Sequence, residues 1–563
     1  MVKSKLMRRR ALIALLLVPV LFGRQPVRAR SAMVVAQEPL ATDVGVAVLR
    51  SGGNAIDAAV AVGFALAVTH PYAGNIGGGG FLLARFADGN TTFVDFRERA
   101  PQSASRNMYV DSEGTLTKAS LEGWRASGVP GSVRGFEFAH QKYGKKKWAE
   151  LLAPAVKLAA DGFPVSYGLA ESLKGSSKLL EQFPESKRVF LKGGEMYSAG
   201  DTFQQPELAG TLKRIQKHGA ADFYEGETAR KLAAAMQANG GAITIEDLKS
   251  YQPVARTPLQ GRYHDFEIIT APPPSAGGIG ILQMLGMLDG SGYEKTGAGS
   301  AASIHYVAEV MRRAYADRSE YFGDPDFYKV PVKKLLDPRY IASRRDSIDR
   351  QHATPSDQLH PGDLTRYEST ETTHFNIVDA DGNAVAVTYT LNGGYGSGVT
   401  VPGLGFLLNN EMDDFAAKPG EPNLFGLIQG EANAIQPGKR PLSSMTPTIV
   451  LRDGKLFMAL GAPGGSRIIN GVLQVFLNVA DFRMNIQEAV DWPRFHHQWK
   501  PDKLYLERGI SPDTIALLKA MGHNVESSEA TAVVIARVEA ILSKDGWLLG
   551  AADGRASSKA AGY

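Results

Sequence analysis

Thr372 and Thr373 stand just before Phe375-Asn376-Ile377, where apolar and polar residues alternate. An Asp-Gly turn at Asp381-Gly382 then leads into a second run from Ala384 to Thr390. Asp-Gly between two alternating runs marks a β-hairpin, which puts Thr372 at the rigid lip of a sheet. The polar, aperiodic stretch 364–371 reads as an exposed loop leading into it. One chemistry suits a hydroxyl so placed. A cut between Glu371 and Thr372 makes Thr372 an N-terminus, and its α-amine, with a pKa of about 7.7–8.0, can act as base for its own Oγ. Threonine also favours strands, and its hydroxyl caps turns for structural reasons alone, so this stretch by itself leaves both uses open.

Other polar, small-residue clusters fall at strand ends. Arg97 closes a hairpin formed by Phe81–Phe86, a turn at Asp88-Gly89, and Thr91–Phe96; Thr390 and Asn392 close the Thr372 hairpin. Glu411 and Asp414 sit in Asn409–Phe415. Ser443 and Ser444 lead into a third hairpin, turning at Asp453-Gly454, that ends on Gly464 and Gly465 at the start of a helix. Arginine grips a carboxylate with two parallel hydrogen bonds, and Asp and Glu accept from an ammonium. Paired backbone N–H groups at a helix start suit a developing oxyanion. A pocket that gathered these groups would fit a zwitterion such as the head of a glutamyl group. Taken one by one, each cluster has an ordinary structural use.

The elements that must position them read as antiparallel sheets with helices outside, an α+β arrangement. Ala55–Val68 is Ala-rich and reads as a buried helix entered through Gly52-Gly53-Asn54. Gly77–Gly80 lacks the Gly-Lys-Ser/Thr of a phosphate loop and reads as backbone that must approach something closely. Residues 100–260 look mostly helical and hold no catalytic constellation, and 271–278 is a stiff proline loop before another helix. Met311–Phe322 is helical and charge-laced, which predicts surface ion pairs. His496 and His497 are adjacent and so point apart on a strand, which makes them structural residues rather than a metal pair.

With 62 basic and 58 acidic side chains, the 563-residue chain has no field suited to nucleic acid. Lys3 to Arg10 is basic, and Ala11–Phe22 is apolar but short for a bilayer. With the small-x-small Val27-Arg28-Ala29, this predicts an export signal over 1–29, or an anchor if it stays uncut. Cysteine is absent, which excludes disulfides, thiol nucleophiles and thiolate metal sites.

Eight motifs in order carry a family resemblance: Ser51–Ala59, Gly77–Phe81, Asp95–Glu98, Arg312–Arg318, Thr372–His374, Asn409–Phe415, Pro441–Met445 and Gly461–Ser466. Over nearly the whole mature chain the sequence resembles the γ-glutamyltranspeptidases of the N-terminal nucleophile hydrolase superfamily. The resemblance implies a four-layer αββα sandwich made from a self-cleaved precursor, with a large subunit 30–371 and a small subunit 372–563 held as a heterodimer. It makes Thr372 the nucleophile, freed from Glu371, with Thr390 orienting it and Gly464 and Gly465 forming the oxyanion hole. Arg97, Ser443 and Ser444 would bind the substrate α-carboxylate, and Asn392, Glu411 and Asp414 the α-ammonium. Phe425, in the lid stretch Pro419–Gly430, would close over the site, and His374 would be structural. Glutathione or a related γ-glutamyl compound would be the donor, water or an amino acid or peptide the acceptor, with no cofactor or metal required. A periplasmic or secreted location follows from the signal. Two rivals remain: a cephalosporin or glutaryl acylase of the same superfamily, and a non-cleaving protein that only binds γ-glutamyl peptides.

Overall fold

The structure is a computed structural model and describes residues 24–360, 372–418, 430–527 and 533–563. The basic and apolar run up to residue 22, Glu371 and Phe425 lie outside the described residues.

Two seven-stranded antiparallel sheets lie face to face. The first runs, in spatial order, Lys559–Gly562, Met33–Ala36, Thr373–Val378, Ala384–Thr390, Gly79–Arg85, Thr91–Phe96 and Val254–Arg256. The second runs Val27–Ala29, Trp547–Ala551, Glu539–Lys544, Lys455–Gly461, Thr448–Arg452, Phe266–Thr270 and Leu259–Tyr263. Alternation explains how the first sheet buries both faces. Val34, Leu82 and Ala84 join one apolar core with the helices Pro39–Arg50 and Ala55–Thr69, while Met33, Phe81 and Leu83 join the core shared with the second sheet. Helices Gly277–Leu288, Ala301–Tyr321 and Arg467–Ala480 pack on that second core. The result is the αββα sandwich.

All three expected hairpins form, in the register that places Thr373 opposite Tyr389. The buried helix forms as Ala55–Thr69, and its Asn54 cap accepts from Asp57 N in a reciprocal capping box. Residues 100–260 divide differently: helices occupy most of 132–250, but 97–131 is irregular backbone around two 3₁₀ turns. The glycine run is fixed by crowding. A Cβ on Gly78 would stand 2.0 Å from Thr390 O, and one on Gly80 2.4 Å from Thr388 O.

The charge-laced helix departs from expectation. Arg312 and Arg313 are buried, not at the surface. Glu309, equally buried, accepts from Arg312 Nε at 3.1 Å and Arg313 Nη1 at 2.6 Å, while Arg312 also pairs with Asp502. That last partner is distant in sequence, so local spacing could not reveal it. Glu309→Ala leaves two buried guanidiniums short of a counter-charge, and urea unfolding should show a loss of about 3–5 kcal/mol. A loss under 1 kcal/mol would mean that water reaches this cluster.

At the edge of the second sheet, Val27–Ala29 pairs with Trp547–Ala551, and the Arg30 guanidinium lies 3.6 Å over the Trp547 ring. Residues 27–29 are therefore part of the folded body, although the sequence places them in the signal. Among the described residues no helix is long and apolar enough to cross a membrane.

Candidate active site

The strand-end clusters converge. Arg97, Thr372, Thr390, Asn392, Glu411, Asp414, Ser443, Ser444 and Gly465 line one cavity of about 220 Å³, with Met445 and Ile468 completing its wall. Thr372 is buried, with 5% of its surface exposed.

Each member is held by its own strand end. Thr390 pairs with Gly79, its Oγ1 accepts from Asn392 N at 2.7 Å, and its carbonyl accepts from Asn75 Nδ2 at 2.8 Å. Asn392 adopts the left-handed region (φ 72°), and its Nδ2 donates to Asn410 O at 3.0 Å. Glu411–Asp414 is a single 3₁₀ turn. Three residues per turn put Glu411 and Asp414 on one side, while Asp413 accepts from Ser120 Oγ at 2.9 Å. Asn409 Oδ1 anchors this turn by accepting from Glu411 N at 3.0 Å. The proline loop positions the serines: Ser443 N donates to Pro274 O at 2.9 Å, and Ala276 N donates to Ser443 O at 2.7 Å.

Arg97 sits past the end of the Thr91–Phe96 strand, with its N–H on Asp95 Oδ1 at 3.0 Å and its carbonyl accepting from Tyr251 OH at 2.9 Å. Its guanidinium donates to Glu411, Asp414, Pro441 O (3.3 Å) and Leu442 O (3.0 Å). The residues that the resemblance assigns to the two poles of a ligand thus pair with each other. Glu98, which the sequence reading passed over, adds a third buried carboxylate 3.6 Å from Arg97. Three buried acids surround the Arg97 guanidinium, and Arg318 also acts on Asp414. Burial, only partly offset by Arg97, pushes the Glu98 carboxyl up to about 7. Burial raises Glu411 and Asp414 too, and the neighbouring carboxylates push Glu411 further up. The motif Asp95–Glu98 held Glu98 in view, but nothing local distinguishes a buried glutamate from a solvated one.

Three donors have no partner among the described residues. Ser444 Oγ is buried and makes no hydrogen bond to any of them. Gly464 and Gly465 have φ of 136° and 56°, and their carbonyls accept from Arg467 N and Ile468 N as the helix Arg467–Ala480 begins. Neither glycine N–H donates to a described backbone or side-chain acceptor. Gly465 lines the cavity, whereas Gly464 is one residue back, where a Cβ would come within 2.7 Å of Ala536 Cα.

The histidines lie elsewhere. His374 Nδ1 is 2.8 Å from Thr388 Oγ1, and burial lowers its pKa to about 3, so it is a neutral packing residue. His496 bonds Asn470 and Gln498, and His497 bonds Asp502 and Trp499 N.

Comparison with known proteins agrees with this geometry. The chain is 49% identical, over the full length of both, to the glutathione hydrolase proenzyme of Escherichia coli (strain K12). The cephalosporin acylase of Bacillus halodurans superposes with a TM-score of 0.86 over 98% of this chain and 99% of that one, at 27% identity. The γ-glutamyltranspeptidase of Helicobacter pylori superposes with a TM-score of 0.57, covering 60% of this chain and 97% of that one, at 45% identity. The family model described as gamma-glutamyltranspeptidase matches residues 41–563. With the Thr372 hairpin, the charged cavity and this match all in the same chain, the protein belongs to the γ-glutamyltranspeptidase family.

Proposed function

We propose that the protein cuts itself between Glu371 and Thr372, and that Thr372 then moves a γ-glutamyl group from an amide donor such as glutathione to water, an amino acid or a peptide. One observation carries this reading: Thr372 shares a single cavity with Arg97, Glu411, Asp414, a free Ser444 hydroxyl and the Gly465 N–H. In maturation, Thr372 Oγ attacks the Glu371 carbonyl, the peptide C–N bond breaks as the Oγ proton passes to nitrogen and frees the α-amine, and water then hydrolyses the ester to release the Glu371 carboxylate and restore the Thr372 hydroxyl. In turnover, that amine takes the Oγ proton as Oγ adds to the γ-carbonyl, and returns it to the leaving nitrogen. The glycine N–H groups stabilise the oxyanion, with Thr390 orienting Thr372. Water or an acceptor amine then attacks the ester, which restores Thr372. The two processed chains, 30–371 and 372–563, stay together as a heterodimer.

The donor and acceptor set supports γ-glutamyl over glutaryl. Asn392, Glu411 and Asp414 offer acceptors for an ammonium in the same cavity as Arg97, Ser443 and Ser444, which offer donors for a carboxylate. A glutaryl group brings only the carboxylate. The purified protein should turn over γ-glutamyl-p-nitroanilide at least about 10³-fold faster than glutaryl-p-nitroanilide, as sites built around a polar group reject analogues lacking it. Equal rates, or a glutaryl preference, would move the acylase reading to the front.

The signal read over 1–29 directs the protein to the periplasm or out of the cell. The pairing of Val27–Ala29 favours its removal ahead of Val27 over removal after Ala29.

A further inference from the structure

The N–H groups assigned to the oxyanion sit on the least rigid backbone a chain can offer. Gly464 and Gly465 have φ of 136° and 56°, and with no Cβ each can turn away at little steric cost. An N–H stabilises an oxyanion well only if it is aimed before the charge develops. The stiffness must therefore come from the flanks. On the leading flank, Arg537 N donates to Pro463 O at 3.1 Å, and Ala536 packs against Gly464. The two carbonyls before Arg537, Ile535 O and Ala536 O, accept from the fully buried Arg494 at 3.0 and 3.1 Å.

On the trailing flank stands Ser466, at the N-cap of the helix Arg467–Ala480. An N-cap serine ordinarily turns its hydroxyl onto an N–H in the first turn of its own helix. Ser466 does not. Its Oγ donates outward to Gln498 Oε1 at 2.9 Å, and its carbonyl accepts from Tyr315 OH, a residue of the helix Ala301–Tyr321. Gln498 is itself fixed. Its Oε1 also accepts from His496 Nε2 at 2.8 Å, which leaves His496 Nδ1 to accept from Asn470 Nδ2 at 2.7 Å. Its Nε2 donates to Lys500 O at 3.3 Å. Burial, and then Arg467, lowers the His496 pKa to about 3, so this neutral tautomer holds through the neutral range. Tyr315, Ser466, His496 and Gln498 are all buried, yet none of them lines the polar cavity. One short segment, 494–498, thus braces both flanks of the glycine pair: Arg494 through residues 535 and 536, Gln498 through Ser466.

We propose that Gln498 is a positioning residue for acyl transfer: through Ser466 it holds the Gly465 N–H on the carbonyl oxygen that becomes the oxyanion at Thr372, with Tyr315 as the second tie. This rests on the γ-glutamyl reading above. The test removes one hydrogen bond from either end. Ser466→Ala deletes its donor, Gln498→Met deletes its acceptor at the same side-chain length, and Gln498→Glu keeps the acceptor. Turnover of γ-glutamyl-p-nitroanilide is measured per cut chain, beside competition by free L-glutamate, which carries the same α-amino acid head but no amide to attack. In Ser466→Ala and Gln498→Met, kcat should fall about 10–100-fold while the inhibition constant of L-glutamate stays within about twofold, because the donor head is gripped elsewhere. Gln498→Glu should fall less than Gln498→Met, and the double variant no further than the weaker single one, since both changes remove the same bond. A kcat within about twofold of the unaltered enzyme in both variants overturns the proposal. So does a loss of rate matched by an equal weakening of L-glutamate, which marks general damage to the pocket. Where a variant does not fold, Tyr315→Phe removes the other tie, and the absence of the same split there overturns the proposal too. If the unaltered enzyme turns over the glutaryl anilide instead, the γ-glutamyl reading alone fails, and the same comparison with glutarate as competitor decides the role of Gln498.

Discussion

Thr372→Ala should remain a single uncut chain and lose γ-glutamyl turnover by at least about 10⁴-fold, the scale seen when a nucleophile is removed from a working site. Both effects have one origin. In the proposed mechanism Oγ is the attacking atom in the cut and in the transfer, and alanine has no substitute for it. The unaltered protein should run as two bands on a denaturing gel, the smaller starting Thr372-Thr373-His374. The fold should survive, because Thr372 precedes the first paired residue, Thr373, so no ladder bond depends on its side chain. An unaltered protein that stays uncut, or a variant that still splits, would refute the nucleophile assignment. The first of these outcomes would favour the reading as a binding protein.

The second large effect concerns the base of the cavity. Arg97→Lys should cut kcat/KM for a γ-glutamyl donor by about 10²–10³-fold, mostly through KM, while self-cleavage continues. Arg97 uses its planar fork on Glu411, Asp414 and two carbonyls at once. An ammonium keeps the charge but presents a single point, so the bidentate grip on an incoming carboxylate is lost. In the proposed mechanism the cut depends on Thr372, Thr390 and the glycine donors, whereas the Arg97 head donates to Glu411, Asp414, Pro441 O and Leu442 O. N-terminal sequencing and donor kinetics on the same sample separate the two functions. An unchanged KM would show that the α-carboxylate binds elsewhere. Neutral replacements such as Arg97→Leu answer a different question, since they strand three buried carboxylates and should cost about 3–5 kcal/mol of stability.

Much of the site could be read from the chain because its residues sit where local pattern is informative. Asp-Gly turns announce hairpins, and Thr372, Arg97, Thr390 and Gly464 fall within a residue or a few of hairpin-strand ends. Convergence could not be read. Arg97 and Glu411 are 314 positions apart, and only the pairing order of the sheet brings them together. Residues whose role depends on burial were hidden for the same reason. Glu98 and Arg312 look like ordinary surface charges until their neighbours from remote segments are in place. Asn376, by contrast, alternates as a polar residue in the strand pattern but is buried and donates to Glu539 O at 2.8 Å, since both faces of that sheet are covered.

The order of strands in the first sheet has a thermodynamic meaning once the chain is cut. Met33–Ala36 lies between Lys559–Gly562 and Thr373–Val378, and Gly79–Arg85 pairs with Ala384–Thr390. Strands from either side of residue 372 alternate, so the fragments cannot part without tearing the sheet at three seams. Before the cut, unfolding is a unimolecular event whose midpoint is independent of concentration. Afterwards it releases two separate molecules, and refolding becomes a second-order encounter that dilution penalises. The lost peptide bond thus costs the native state little while it stays folded, but it turns a reversible transition into one from which a dilute protein does not return.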